Sequence, residues 1–202
     1  MLTKEEIVRR LDEGPLQERL VITPLLDRTL QISGISVDLR LGFDFILPRR
    51  ANIAAIDSMS PSSELLSKRF NERVTLIRGK ELRLVPGEFV LGASLEYIAL
   101  PADLAAHVTS RSSWGRAGLV IATAISVAPG FKGVITLELA NLGVVPLVLR
   151  PGVRIAQIVF TRTNATESYS GRYSCPTHPE FGKVHLDKDL PFWGKPEVTG
   201  PP

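Results

Sequence analysis

The spacing of turn residues constrains this chain more than any other feature. After Gly14-Pro15 the sequence breaks into short β-like runs separated by Gly, Pro and Asp. The clearest are Val37–Leu41, Phe43–Leu47, Val74–Ile77, Phe89–Ala93, Tyr97–Leu100, Leu119–Val127, Val134–Leu139, Val145–Leu149 and Val153–Phe160. Several short strands at close spacing with turn signals between them predict an all-β sandwich or barrel-like domain. The start differs. Thr3 and Glu6 have capping-box spacing, and Leu2, Ile7, Val8 and Leu11 follow the helical period, so a short N-terminal helix is expected, ended by Gly14-Pro15. The stretch Asp57–Arg73 reads as an excursion with a short helix at Glu64–Phe70, because strands continue on both sides of it.

The 202 residues, 44% of them hydrophobic, suit one domain with a real core spanning 1–202. After Phe160 the chain turns polar and rich in Pro and Gly, yet it keeps Tyr169, Tyr173, Phe181, Phe192 and Trp193. Residues 161–202 are therefore expected to form an arm that closes over a site. The last ten fit a loose extension equally well.

Several classes are excluded. Cys175 is the one cysteine, so no disulfide forms within the chain and a reducing, cytoplasmic setting is expected. The N-terminus is charged and lacks a signal-peptide core, and no apolar run approaches the ~20 residues of a membrane span. The net charge is only +3 and the basic residues are scattered, which argues against a nucleic-acid surface. With His107, His178, His185 and Cys175 as the only soft ligands, the H-x-E…P-C-x-x-C zinc site of nucleoside deaminases cannot be built. Neither G-x-x-x-x-G-K-[ST] nor G-x-G-x-x-G occurs.

Three stretches carry candidate chemistry. Ser110–Arg116 (SRSSWGR) packs two arginines and three hydroxyls around a turn; it is either a phosphate-type anion site or a solvated polar turn. In Gly118–Gly130 the small residues Ala122, Ala124, Ser126 and Ala128 share one face at period two, leaving room for a ligand or packing tightly on a neighbour. In Gly133–Asn141, Ile135, Leu137 and Leu139 read as core. Glu138 falls on the other face with Thr136 and Ala140, either facing solvent or buried as an acid–base group with raised pKa.

The collinear set GISVDLRLG (34–42), LVPGEFVLGASLEYIALPADLAA (84–106), SRSSWGRAGL (110–119), ATA…APGFKGVITLELAN (122–141) and LRPGVRIAQIVF (149–160) resembles the dCTP deaminases and their dUTPase relatives. The resemblance implies a mainly β, β-clip (distorted jelly-roll) fold with a short N-terminal helix, assembled as a homotrimer with sites between subunits. It implies metal-free hydrolytic deamination of dCTP to dUTP and ammonia, with Mg2+ carried in on the triphosphate and no zinc. By motif, Glu138 and Arg116 would be catalytic. Arg111, Ser112, Ser113, Thr123, Ala124, Tyr169 and Arg172 would bind substrate. Alternatives are a dUTPase-type pyrophosphatase, including a bifunctional one, and a nucleotide-binding regulator without turnover. The chain departs from the family pattern in three places. Ala128 stands where an aspartate is usual, Arg172 where lysine is usual, and the glutamine expected a few residues later is absent, with Cys175-Pro176 in that region.

Overall fold

The structure, a computed structural model, describes residues 1–49, 55–56, 69–122, 126–164, 169–183 and 186. The chain divides into two compact units, Met1–Leu47 with Arg73–Glu180, and Pro48–Glu72 with Phe181–Pro202. Within the second unit the Arg49 guanidinium pairs with the Glu72 carboxylate. The helix expected at Glu64–Phe70 lies outside the described residues except for its last two positions. The first unit carries the apolar core and the candidate chemistry.

Helix α1 (Lys4–Asp12) forms as its ends dictate. The Thr3 hydroxyl accepts from the Glu6 amide (3.3 Å) and the Glu6 carboxylate accepts from the Thr3 amide (2.9 Å), which satisfies two of the helix's orphan donors. Leu2 and Ile7 are buried against the sheets, and the Leu2 amide donates to the Phe160 carbonyl at 2.9 Å.

The strands are β1 (Val21–Thr23), β2 (Ile32–Ser33), β3 (Ser36–Arg40), β4 (Asp44–Pro48), β5 (Asn71–Thr75), β6 (Leu82–Leu84), β7 (Phe89–Ala99), β8 (Leu104–Ser110), β9 (Leu119–Ile121), β10 (Ser126–Val127), β11 (Lys132–Asn141), β12 (Leu147–Leu149) and β13 (Arg154–Arg162). Short helices α2 (Arg28–Gln31) and α3 (Ser112–Arg116) lie between them. One sheet runs β5-β4-β7-β11-β9 with β1 also on β7; a second runs β10-β8-β13-β3-β2; β12 and β6 make a ribbon. Residues buried from both sheets, among them Leu39, Phe45, Ile98, Leu137, Leu139, Ile158 and Phe160, form one apolar cluster. This is the β-clip, jelly-roll type of architecture, with the expected short helix in front.

Four expectations shift. Phe89–Ala93 and Tyr97–Leu100 are one eleven-residue strand, β7. The polar interval Ser94–Glu96 reads as a break because Ile135, Gln31 and Arg40, which also satisfy it, are remote in sequence. The Ser94 hydroxyl donates to the Glu96 carbonyl (2.7 Å) and accepts from the Ile135 amide (2.9 Å). Leu119–Val127 is not one strand. Its described ends, β9 and β10, belong to different sheets. The run expected at Val74–Ile77 is displaced to Asn71–Thr75. Finally, β8 has no counterpart among the expected runs. Its alanines and His107 blur an alternation that the buried Leu104, Ala106 and Val108 make plain.

Candidate active site

Strand β11 delivers Glu138. Leu137 and Leu139 are fully buried on one face, and period two turns Glu138 to the other. There it is half-buried beside Leu91, its register partner on β7. Burial pushes its carboxyl above the ordinary glutamate value. Among the described residues its carboxylate makes no hydrogen bond. The Ala122 amide donates to the Glu138 carbonyl at 2.9 Å, so the chain entering Thr123-Ala124 starts beside the carboxylate's own strand. Thr123 and Ala124 themselves lie outside the described residues.

Helix α3 carries the donor-rich turn. Ser112, Ser113 and Arg116 are exposed. Arg111, its N-cap residue, is different. Its Nε lies 3.1 Å from Asp38 Oδ2, and its Nη1 donates to the Arg154 carbonyl at 3.3 Å. Arg154 Nη1 shares the same Asp38 oxygen at 3.0 Å. The Trp114 indole also donates to the Arg154 carbonyl (3.1 Å), and the Arg111 amide donates to the Ile155 carbonyl (3.1 Å). Asp38 is 7% exposed; burial pushes its carboxyl upward, against the pull of Arg111 and Arg154. The far end of α3 is fixed at Gly118. A Cβ there would meet Gly143 backbone at 2.6 Å, and its φ of +97° favours glycine. Gly143 is held in turn by the fully buried Asn141, whose Oδ1 accepts from its amide at 2.9 Å.

The arm segment 169–180 lies against β11 and the turn before it. The Tyr169 amide donates to the Pro129 carbonyl (2.8 Å), and its ring meets Phe131 edge-on at 5.7 Å. The Tyr173 amide donates to the Tyr169 hydroxyl (3.2 Å). The Val134 amide donates to the Pro176 carbonyl (2.8 Å), and the Glu180 amide to the Thr136 hydroxyl (3.1 Å). Thr136 is two residues from Glu138 on the same face of β11. Arg172 is exposed, and Ala128 sits in the turn whose Phe131 amide donates back to its carbonyl.

The structure thus brings Glu138, the entry to Thr123-Ala124, and the arm onto one strand, and it locks α3 between two anchors. Sequence reasoning missed Asp38, Arg154 and the buried pair Gln31–Glu96. The Glu96 carboxylate accepts from Gln31 Nε2 and the Arg40 amide, both at 2.8 Å, and burial pushes it upward. The available signal was Asp38 and Arg40 interrupting an apolar strand. Among the described residues no group of three or more His, Cys, Asp or Glu is arranged to hold a metal ion, and no helix is long and apolar enough to cross a membrane.

Comparison with known proteins agrees with this architecture. The family model described as dCTP deaminase-like matches residues 1–163. A dCTP deaminase of Natronomonas pharaonis is 42% identical over 197 residues, covering 94% of this chain and 97% of its own. A protein of Dictyoglomus thermophilum named dCTP deaminase, dUMP-forming, is 40% identical over 200 residues, covering 98% and 99%. Among solved structures, 2'-deoxycytidine 5'-triphosphate deaminase from Agrobacterium tumefaciens superposes with a TM-score of 0.58 at 26% identity; the match takes in 79% of this chain and 45% of that one. The chain belongs to the dCTP deaminase-like family.

Proposed function

We propose that this chain is a hydrolytic deaminase that converts dCTP and water to dUTP and ammonia. The observation that carries the reading is Glu138, a half-buried carboxylate raised in pKa by burial, on a strand otherwise packed into the core. A raised pKa makes a carboxylate a stronger proton acceptor and suits it to general acid–base work. Glu138 takes a proton from water as the oxygen bonds to C4 of cytosine, and passes that proton to N3. Glu138 then relays the proton of the new C4 hydroxyl to the exocyclic amine, the C4–N bond breaks as the C4 carbonyl forms, and ammonia leaves. Arg116, Ser112 and the backbone at Thr123-Ala124 orient the water and steady charge at C4. Ser113, Tyr169 and Arg172 serve the triphosphate end, Arg111 holding from behind the helix that carries Ser113, and Mg2+ enters bound to that triphosphate as part of the substrate. We read the chain as a single deaminase domain whose arm, 161–202, helps cover the site, working in the cytoplasm as a homotrimer with shared sites.

The test is incubation with each dNTP plus magnesium, after removal of zinc, followed by separation of products. dUTP and ammonia from dCTP alone are expected. No deamination of dCTP by folded protein would overturn the reading. A second reading, in which dUTP is hydrolysed onward to dUMP, draws on the dUMP-forming relatives. Ala128 weighs against it, because a methyl group cannot activate water for attack on a phosphate.

A further inference from the structure

We propose that Asp38 is a positioning residue that sets the place of helix α3, acting through Arg111 and Arg154. A five-residue helix has almost no stability of its own, since isolated helices shorter than about 12 residues are marginal in water. Its position must come from anchors. At its N-terminal end they are the β13 backbone, at the Arg154 and Ile155 carbonyls, and one carboxylate, Asp38. Asp38 Oδ2 holds Arg111 Nε at 3.1 Å and Arg154 Nη1 at 3.0 Å. The Arg154 carbonyl then accepts from both Arg111 Nη1 and the Trp114 indole. Among the described residues Arg154 has one other side-chain tie, to the Leu30 carbonyl at 2.6 Å.

Removing the charge of Asp38 therefore loosens the Arg111 side chain that ties the start of α3 to β3 and β13, and leaves two guanidinium groups without their shared counter-charge. Ser112, Ser113 and Arg116 move with the helix. Arg111 acts here from behind the site, with its fork turned to Asp38, and Asp38 need touch no substrate. This inference rests on the deaminase reading only for its kinetic readout.

The experiment compares Asp38→Asn, Arg111→Gln and the double variant in the full chain, by two measurements. The first is kcat/KM for dCTP. A displacement of the order of 1 Å in a positioned group costs about 10²-fold. A loss of that size is expected in each single variant, with the double variant no more than about threefold below the worse single, because both remove one device. The second is amide hydrogen exchange over 112–118, where the Trp114, Gly115, Ala117 and Gly118 amides donate within the α3 turn. It should quicken in both single variants and no further in the double. Exchange reports on α3 even if the protein deaminates nothing, so failure of the functional reading leaves this inference testable. Unchanged exchange over 112–118 in Asp38→Asn would overturn it, as would losses that multiply in the double variant. If Asp38→Asn does not fold, Asp38→Glu takes its place. It keeps the charge but shifts the oxygen by a methylene, and should also quicken exchange in α3; wild-type exchange there would overturn the proposal.

Discussion

Replacing Glu138 with Gln separates catalysis from folding in a way the structure makes quantitative. The substitution is isosteric, and among the described residues the carboxylate has no hydrogen bond to lose. Leu137 and Leu139, which do the packing, are untouched. What disappears is the capacity to take up and release a proton. A positioned acid–base group contributes about 10²–10⁴-fold, so turnover should fall by that factor, about 2.7–5.4 kcal/mol of barrier. Stability should move the other way. The folded pKa of Glu138 lies above its unfolded value because burial disfavours the anion. Such a group favours folding below its unfolded pKa and loses that contribution as pH rises through the folded one. At pH 7 the wild type carries the cost of a partly desolvated charge, and glutamine does not. The variant should melt at the same temperature or slightly higher, where 1 kcal/mol is about 2–4 °C for a chain of this size. Calorimetry and a dCTP deamination assay on the same preparation check both. Turnover near wild type would remove Glu138 from the mechanism; a drop in Tm of several degrees would show that the carboxylate makes a structural contact instead.

Four further outcomes are expected. The acid limb of kcat/KM should report a group raised above the usual carboxylate range, activity falling as pH drops through it, and the limb should vanish from the residual rate of Glu138→Gln. Because Ala128 offers neither base nor hydrogen-bond acceptor, dUMP should be negligible among the products, and Ala128→Asp should sharpen discrimination against the 3′-deoxy analogue of dCTP; robust dUMP from the natural sequence would show that another residue fills the role. Gly133→Ala would put a Cβ 2.4 Å from Pro176 Cδ at a φ of +146°, so it should free the arm at that point and cost more than about 1 kcal/mol, seen as faster proteolysis after Arg172 and a lower Tm. Light scattering at micromolar concentration should give a trimer, and a monomer would undercut the shared site.

How much of this is legible in the sequence depends on how far apart the partners stand. The cap of α1 can be read because Thr3 and Glu6 are three residues apart and satisfy each other. The two faces of β11 can be read because alternation is local: Leu137 and Leu139 in, Thr136 and Glu138 out. Strand β7 reads as two because Ser94 and Glu96 are polar, and the groups that make them tolerable in a buried strand, Ile135, Gln31 and the Arg40 amide, come from elsewhere in the chain. The same holds for the site. Glu138, Arg116 and the serines can be singled out from motif and chemistry. For Arg111 the residue type gives a donor fork without giving its target. Composition and spacing cannot distinguish an arginine aimed at a phosphate from one aimed at a carboxylate of its own fold. That choice is made by strand register: Ser110 pairs with Ala156, and Gln157 with Asp38, so β13 sets the end of β8 level with Asp38 on the strand beyond it. Once register has brought a nearly buried carboxylate within 3.1 Å of Arg111, withdrawing the arginine would strip that charge of one of its two ion-pair partners, the other being Arg154. The arginine is then committed inward, and recognition falls to the exposed donors that it holds in place.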